Sequence, residues 1–190
     1  MISNEEIVER IRESIRVKAA MESQADLLRR IATQWIACLG EGGKILFFGN
    51  GGSAADAQHL ACELAGRFYK DRPGLAALSL TVNSSTLTAV GNDFGYEQVF
   101  ARQLEGLARP GDVAVGISTS GRSQSVLAAL RKARSMGLAM TGMTGRSGGG
   151  MPSLVDYCLH VDSEETPRIQ EGHILAGHIV CELVEREIYP

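Results

Sequence analysis

The chain is 190 residues long, 44% hydrophobic and 22% charged, which is enough apolar material for one sizeable core and an expected single domain over 1–190. A net charge of −3 with no Lys/Arg stripe argues against nucleic acid as a partner. No apolar run approaches the roughly 20 residues of a membrane span, and the start Met-Ile-Ser-Asn-Glu-Glu has neither the basic nor the apolar region of a signal peptide. Cys38, Cys62, Cys158 and Cys181 form no C-x-x-C pair and read as small buried residues in a reducing compartment, so the cytoplasm is the expected location.

In chain order, residues 4 to about 38 read as helix. Ser3 and Glu6 have capping-box spacing. Ile7, Ile11 and Ile15 form one apolar stripe, which Leu27, Leu28, Ile31 and Trp35 resume after a break near 21–25. Two helices are therefore expected in a lead-in over about 1–40, long enough to predict packing against a partner subunit. A first strand is expected at 44–48, where the near-continuous apolar run implies a parallel sheet buried on both faces. Helices are expected at 53–69, 84–90, 97–108, 124–136 and 167–188, and strands at 75–80, 113–117, 139–144 and 157–161. Gly91–Gly95 reads as a turn, 145–150 as a glycine-rich loop, and Thr166 with Pro167 as the cap and first turn of the last helix. Strands alternating with helices, with 22 glycines and only 5% aromatics, indicate an α/β fold: a three-layer α/β/α sandwich on a five-stranded parallel sheet.

Two loops follow strand ends, where ligands bind in parallel sheets. Gly49-Asn50-Gly51-Gly52-Ser53 leads into a helix whose N-terminus favours an anion. Ser118-Thr119-Ser120-Gly121-Arg122-Ser123 carries more hydroxyls than one helix cap needs, and hydroxyls donate to phosphate oxygens. A dinucleotide fingerprint fails, because Ala54 stands where its third glycine belongs, and no Gly-Lys-Ser/Thr follows a strand. On the first of these helices His59 and Glu63 stand at i and i+4, sharing one face as a metal-competent pair. A lone pair of this kind is ordinarily a solvated helix contact; the two loops and His178 are what raise it to a candidate site.

These loops, with Asp56-Ala-Gln-His59, Glu63, Gly66-Arg67, Val90-Gly-Asn-Asp-Phe-Gly95, Arg168-Ile-Gln-Glu-Gly-His173 and His178, resemble the phosphoheptose isomerases of the sugar isomerase (SIS) domain family. The similarity runs over essentially the whole chain. It implies conversion of sedoheptulose 7-phosphate to D-glycero-D-manno-heptose 7-phosphate, a precursor of lipopolysaccharide and related surface glycans. It implies that Asn50, Gly51, Gly52, Asn92 and Asp93 contact the sugar or shape its pocket, with Ser53 beside them. Ser118, Thr119, Ser120 and Ser123 would hold the phosphate. His59, Glu63, Gln170 and His178 would bind one zinc per subunit, Gln170 also touching substrate. Family members are homotetramers with sites at subunit junctions, so Arg67 would serve a neighbour's site.

The residues themselves suit that chemistry. Moving a carbonyl between C2 and C1 needs a base that takes a proton from one carbon and returns it to the other. Glu63 is the candidate, with an expected benefit of roughly 10²–10⁴-fold. A divalent metal would stabilise the enediol charge, and His178 would be either a zinc ligand or the acid for ring opening. Spacing alone pairs Glu171 with His178, whereas the family pattern selects Gln170. His173 reads as a packing residue or a support for the ligands, and His160 as structural. Some family members carry Asp where Pro167 stands here, which affects substrate contacts at the start of the last helix. A non-catalytic phosphosugar-binding scaffold and an isomerase of another sugar phosphate remain as alternatives.

Overall fold

The computed structural model describes residues 2–190. Helix α1 (Asn4–Ala20) and helix α2 (Ala25–Gly40) are joined by a 3-10 turn at Met21–Gln24, where the sequence pattern breaks. The Ser3–Glu6 capping box forms, each side chain taking the other's backbone N–H. Then come β1 (Ile45–Gly49), α3 (Gly52–Ala65), β2 (Ala77–Ser79), α4 (Ser84–Phe94) and, after a 3-10 turn, α5 (Ala101–Leu107). The chain continues through β3 (Val113–Ile117), α6 (Gln124–Ser135), β4 (Ala139–Gly145), β5 (Tyr157–Val161) and α7 (Thr166–Ile188).

All five strands are parallel, in the order β2-β1-β3-β4-β5. Side chains alternate across β1: Ile45 and Phe47 enter the core shared with α2, α3 and α7, and Leu46 and Phe48 the core shared with α5 and α6. All four are fully buried, each contributing roughly 1.5–3 kcal/mol. This is why β1 reads as an unbroken apolar run. In the first core the Trp35 ring meets Phe47 edge-on at 5.2 Å. The strand order reverses between β1 and β3, so the loops after these two strands face one crevice at the switch point.

Helix ends differ from the sequence expectation in informative places. Helix α3 stops at Ala65, not at 69, because Arg72 takes the carbonyls of Glu63, Leu64 and Gly66 at the helix end. Helix α4 runs through Gly91 to Phe94, and the chain turns only at Gly95, whose φ is +87°. Helix α7 begins at Thr166, with Glu165 in the cap position. The expected strand at 75–80 narrows to the three residues of β2. On the opposite edge, the Gln24 amide brackets β5, accepting from the His160 N–H and donating to its carbonyl. That blunts an exposed edge strand.

Candidate active site

Helices α3 and α7 run side by side in the same direction with a nearly constant register. A Cβ at Gly52 would strike the Gln170 amide, and one at Gly177 would strike Leu60. Beyond them the Glu185 carboxylate takes the N–H groups of Phe68, Tyr69 and Lys70. That register places His59 opposite His178. Their Nε2 atoms lie 2.9 Å apart, and His59 Nε2 is 3.0 Å from Glu63 Oε1. His59, Glu63 and His178 offer ligand atoms that all fall within 4.8 Å of one another.

Neighbouring ligand atoms around a tetrahedral zinc stand about 3.3 Å apart, given bonds near 2.0–2.1 Å. The two short contacts here are within a few tenths of that. Two imidazoles and a carboxylate brought this close together suit a small divalent ion in an open site. Glu63 turns Oε1 to His59 and keeps a second oxygen for other work. The Phe68 ring, with its centroid 5.8 Å from that of His178, covers one side of the group.

Gln170 is on the same helix pair, toward the start of α3. Its amide lies against Gly52, which precedes His59 by seven residues, two turns along the same face of α3. Glu171 is turned away altogether, bonded by Ser14 of α1 at 2.5 Å and paired with Arg168 at 2.9 Å. His173 is fully buried against the sheet with both ring nitrogens unpartnered. Burial holds its pKa down at about 4, the Thr144 carbonyl opposing weakly, so it is a packing residue.

The two loops meet as the topology requires. Gly51 adopts φ +58° as α3 begins, a conformation that suits glycine, and Ser53 is buried behind it. Asn50 spans the crevice, its Nδ2 donating to Ser123 Oγ at 2.8 Å and to Ser125 Oγ at 3.0 Å. Ser118 is buried at the end of β3, its N–H bonded to the Met143 carbonyl. Thr119 and Ser120 line a cavity of about 280 Å³ with Arg122, Arg146, Ser163 and Thr166. Asn92 and Asp93 sit exposed at the end of α4, bonded to each other at 2.7 Å. Arg67 is exposed in the strap after α3.

Two contributors were not foreseen from the sequence. Tyr96 donates to Asn50 Oδ1 at 2.9 Å, and Ser125 takes the second Asn50 hydrogen. Ser125 was within reach of inspection, two residues past Ser123 at the start of a helix. Tyr96 carried no local signal, since it meets Asn50 only through the fold.

Comparison with known proteins agrees with this geometry. The family described as the SIS domain matches residues 10–145. A phosphoheptose isomerase of Aneurinibacillus thermoaerophilus is 51% identical, over 98% of this chain and 96% of its own. The structure of phosphoheptose isomerase from Neisseria gonorrhoeae superposes with a TM-score of 0.91 at 42% identity, covering 96% of this chain and 98% of that one. One from Francisella tularensis gives 0.94 at 34% identity, over 98% and 100%. With a helix pair that assembles His59, Glu63 and His178 below two hydroxyl- and glycine-rich loops, and with relatives matched end to end, the chain belongs to the phosphoheptose isomerase family of SIS-domain proteins.

Proposed function

We propose that the protein is an aldose–ketose isomerase that interconverts sedoheptulose 7-phosphate and D-glycero-D-manno-heptose 7-phosphate. The observation that carries the reading is the convergence of His59, Glu63 and His178 on one face of the α3/α7 pair. The spacing supports it. The start of α3 lies roughly 10 Å from His59 along the helix. An extended seven-carbon phosphate spans about 9–10 Å from phosphorus to C1 at ordinary single-bond lengths. With its phosphate on Ser118, Thr119, Ser120 and Ser123, the sugar's reacting end reaches Glu63, while Gln170, Asn92 and Asp93 flank the middle.

Glu63 then takes a proton from C1 of the ketose. The C1–C2 double bond of an enediol forms as the carbonyl π electrons move to O2. Return of the proton to C2, with O1 giving up its hydrogen, leaves the aldehyde at C1. One carboxylate oxygen serves both carbons, which are adjacent. His178 passes the hydroxyl proton and assists ring opening. His59, Glu63, Gln170 and His178 would hold a zinc ion; when bound, the ion supplies Lewis-acid stabilisation of negative charge. We assign the whole chain to one SIS unit in a cytoplasmic homotetramer, where the exposed Arg67 reaches a neighbour's site. The product would feed heptose for surface glycans such as lipopolysaccharide.

The test is incubation of purified, zinc-loaded protein with sedoheptulose 7-phosphate, following the aldose by NMR, with Glu63→Gln in parallel. Wild type should convert the ketose. The variant should lose at least about 10²-fold in kcat while still binding sugar phosphate. Binding without conversion by wild type would instead favour a scaffold or another sugar.

A further inference from the structure

The Asn50 amide makes three side-chain hydrogen bonds. Its two N–H groups go to Ser123 and Ser125, and its carbonyl accepts from Tyr96. Three segments far apart in sequence are tied at this point: the β1–α3 turn, the 3-10 turn before α5 and the start of α6. The direction of these bonds has a chemical result. Ser123 Oγ receives a hydrogen from Asn50, so its own O–H is left to donate. Ser125, 3.2 Å away, receives the other hydrogen and is buried at 3% exposure, whereas Ser123 is only half-buried. Ser123 is thus the more accessible of the two hydroxyls, and the one free to donate to a ligand.

A phosphate dianion accepts hydrogen bonds and donates none. Were the amide inverted, Oδ1 would draw both serine hydrogens toward itself and leave Ser123 presenting lone pairs to the phosphate. The phenol of Tyr96 is a stronger acid than a serine hydroxyl and donates in preference to accepting, so it selects the productive orientation. We propose that Tyr96 is a positioning residue for phosphate binding, locking the Asn50 amide so that Ser123 is a donor to the substrate's phosphate. The proposal rests on the isomerase reading for the identity of the substrate, and on the loop geometry alone for the anion.

Tyr96→Phe removes only the hydroxyl from a side chain that is 58% exposed, so the fold should be undisturbed. Calorimetry with inorganic phosphate should show binding weakened about five-fold, the scale of one lost hydrogen bond. The KM for sedoheptulose 7-phosphate should rise by a similar factor with kcat and melting temperature unchanged. In a Ser123→Ala background the same substitution should add nothing, because its effect passes through that hydroxyl. Unchanged phosphate binding in Tyr96→Phe, or a full five-fold loss persisting in the Ser123→Ala background, would overturn the proposal. Wild type that binds phosphate but does not turn over the heptose phosphate would refute the isomerase reading, while the phosphate comparison would still decide the role of Tyr96.

Discussion

Among single residues, His173 shows most sharply what burial does to chemistry. Its ring sits in the core with both nitrogens unpaired and its pKa down at about 4 from an ordinary 6.5. The unfolded chain therefore binds a proton below pH 6.5 that the folded chain refuses. Stability is fully present above 6.5 and falls as pH drops toward 4, by up to about 3 kcal/mol. A His173→Leu variant, compared with wild type by urea denaturation at pH 7.5 and 4.5, should lose less stability on acidification. Sequence reading left His173 between packing and support for the ligands. It could not choose, because the choice depends on which face of α7 meets the sheet. His59 and Glu63 were legible from their i and i+4 spacing, and His178 from the family pattern. The seating of the Gln170 amide on Gly52 was not, because it follows from the register of two helices distant in sequence.

Between elements, the device that matters most is the strap after α3. Glu185 is 2% exposed and accepts three backbone N–H groups and the Arg72 guanidinium, whose side chain is also 2% exposed. Burial alone would raise its pKa, but the backbone donors and Arg72 outweigh it and hold it at about 2. Its contribution is present above about 4.5, the unfolded value, and is lost as pH falls through about 2. Glu185→Gln leaves Arg72 buried without its counter-charge and should cost about 3–5 kcal/mol, measured by chemical denaturation at pH 7. Because the strap carries Phe68 over His178, activity should fall further than the loss of folded protein explains. The expected helix through 69 missed this strap. Local helix propensity continues past Gly66, and the residue that ends the helix, Arg72, is held by a carboxylate 113 positions away.

For the molecule as a whole, the layered fold was legible from the alternation of strand and helix patterns, and the structure bears it out. The outer face of α1 carries an uncovered apolar stripe. Ile7, Ile11 and Ile15 are 51%, 55% and 60% exposed, beside an open cleft formed with Arg168 and Glu171 of α7. Such a stripe in water is costly unless another surface covers it. Light scattering should report an oligomer. The double substitution Ile11→Glu/Ile15→Glu should yield smaller species with reduced isomerase activity. A monomeric wild type would remove the subunit-junction picture and leave Arg67 without its proposed role.

The close seating of Leu60 on Gly177 lies one residue from His59 on one helix and one from His178 on the other. The opening between the two imidazoles is therefore set by the bulk of an apolar contact. Packing in this part of the interior acts as a calliper on the candidate ion site, so substitution at those two core positions should surface as altered affinity and selectivity in divalent-ion titrations.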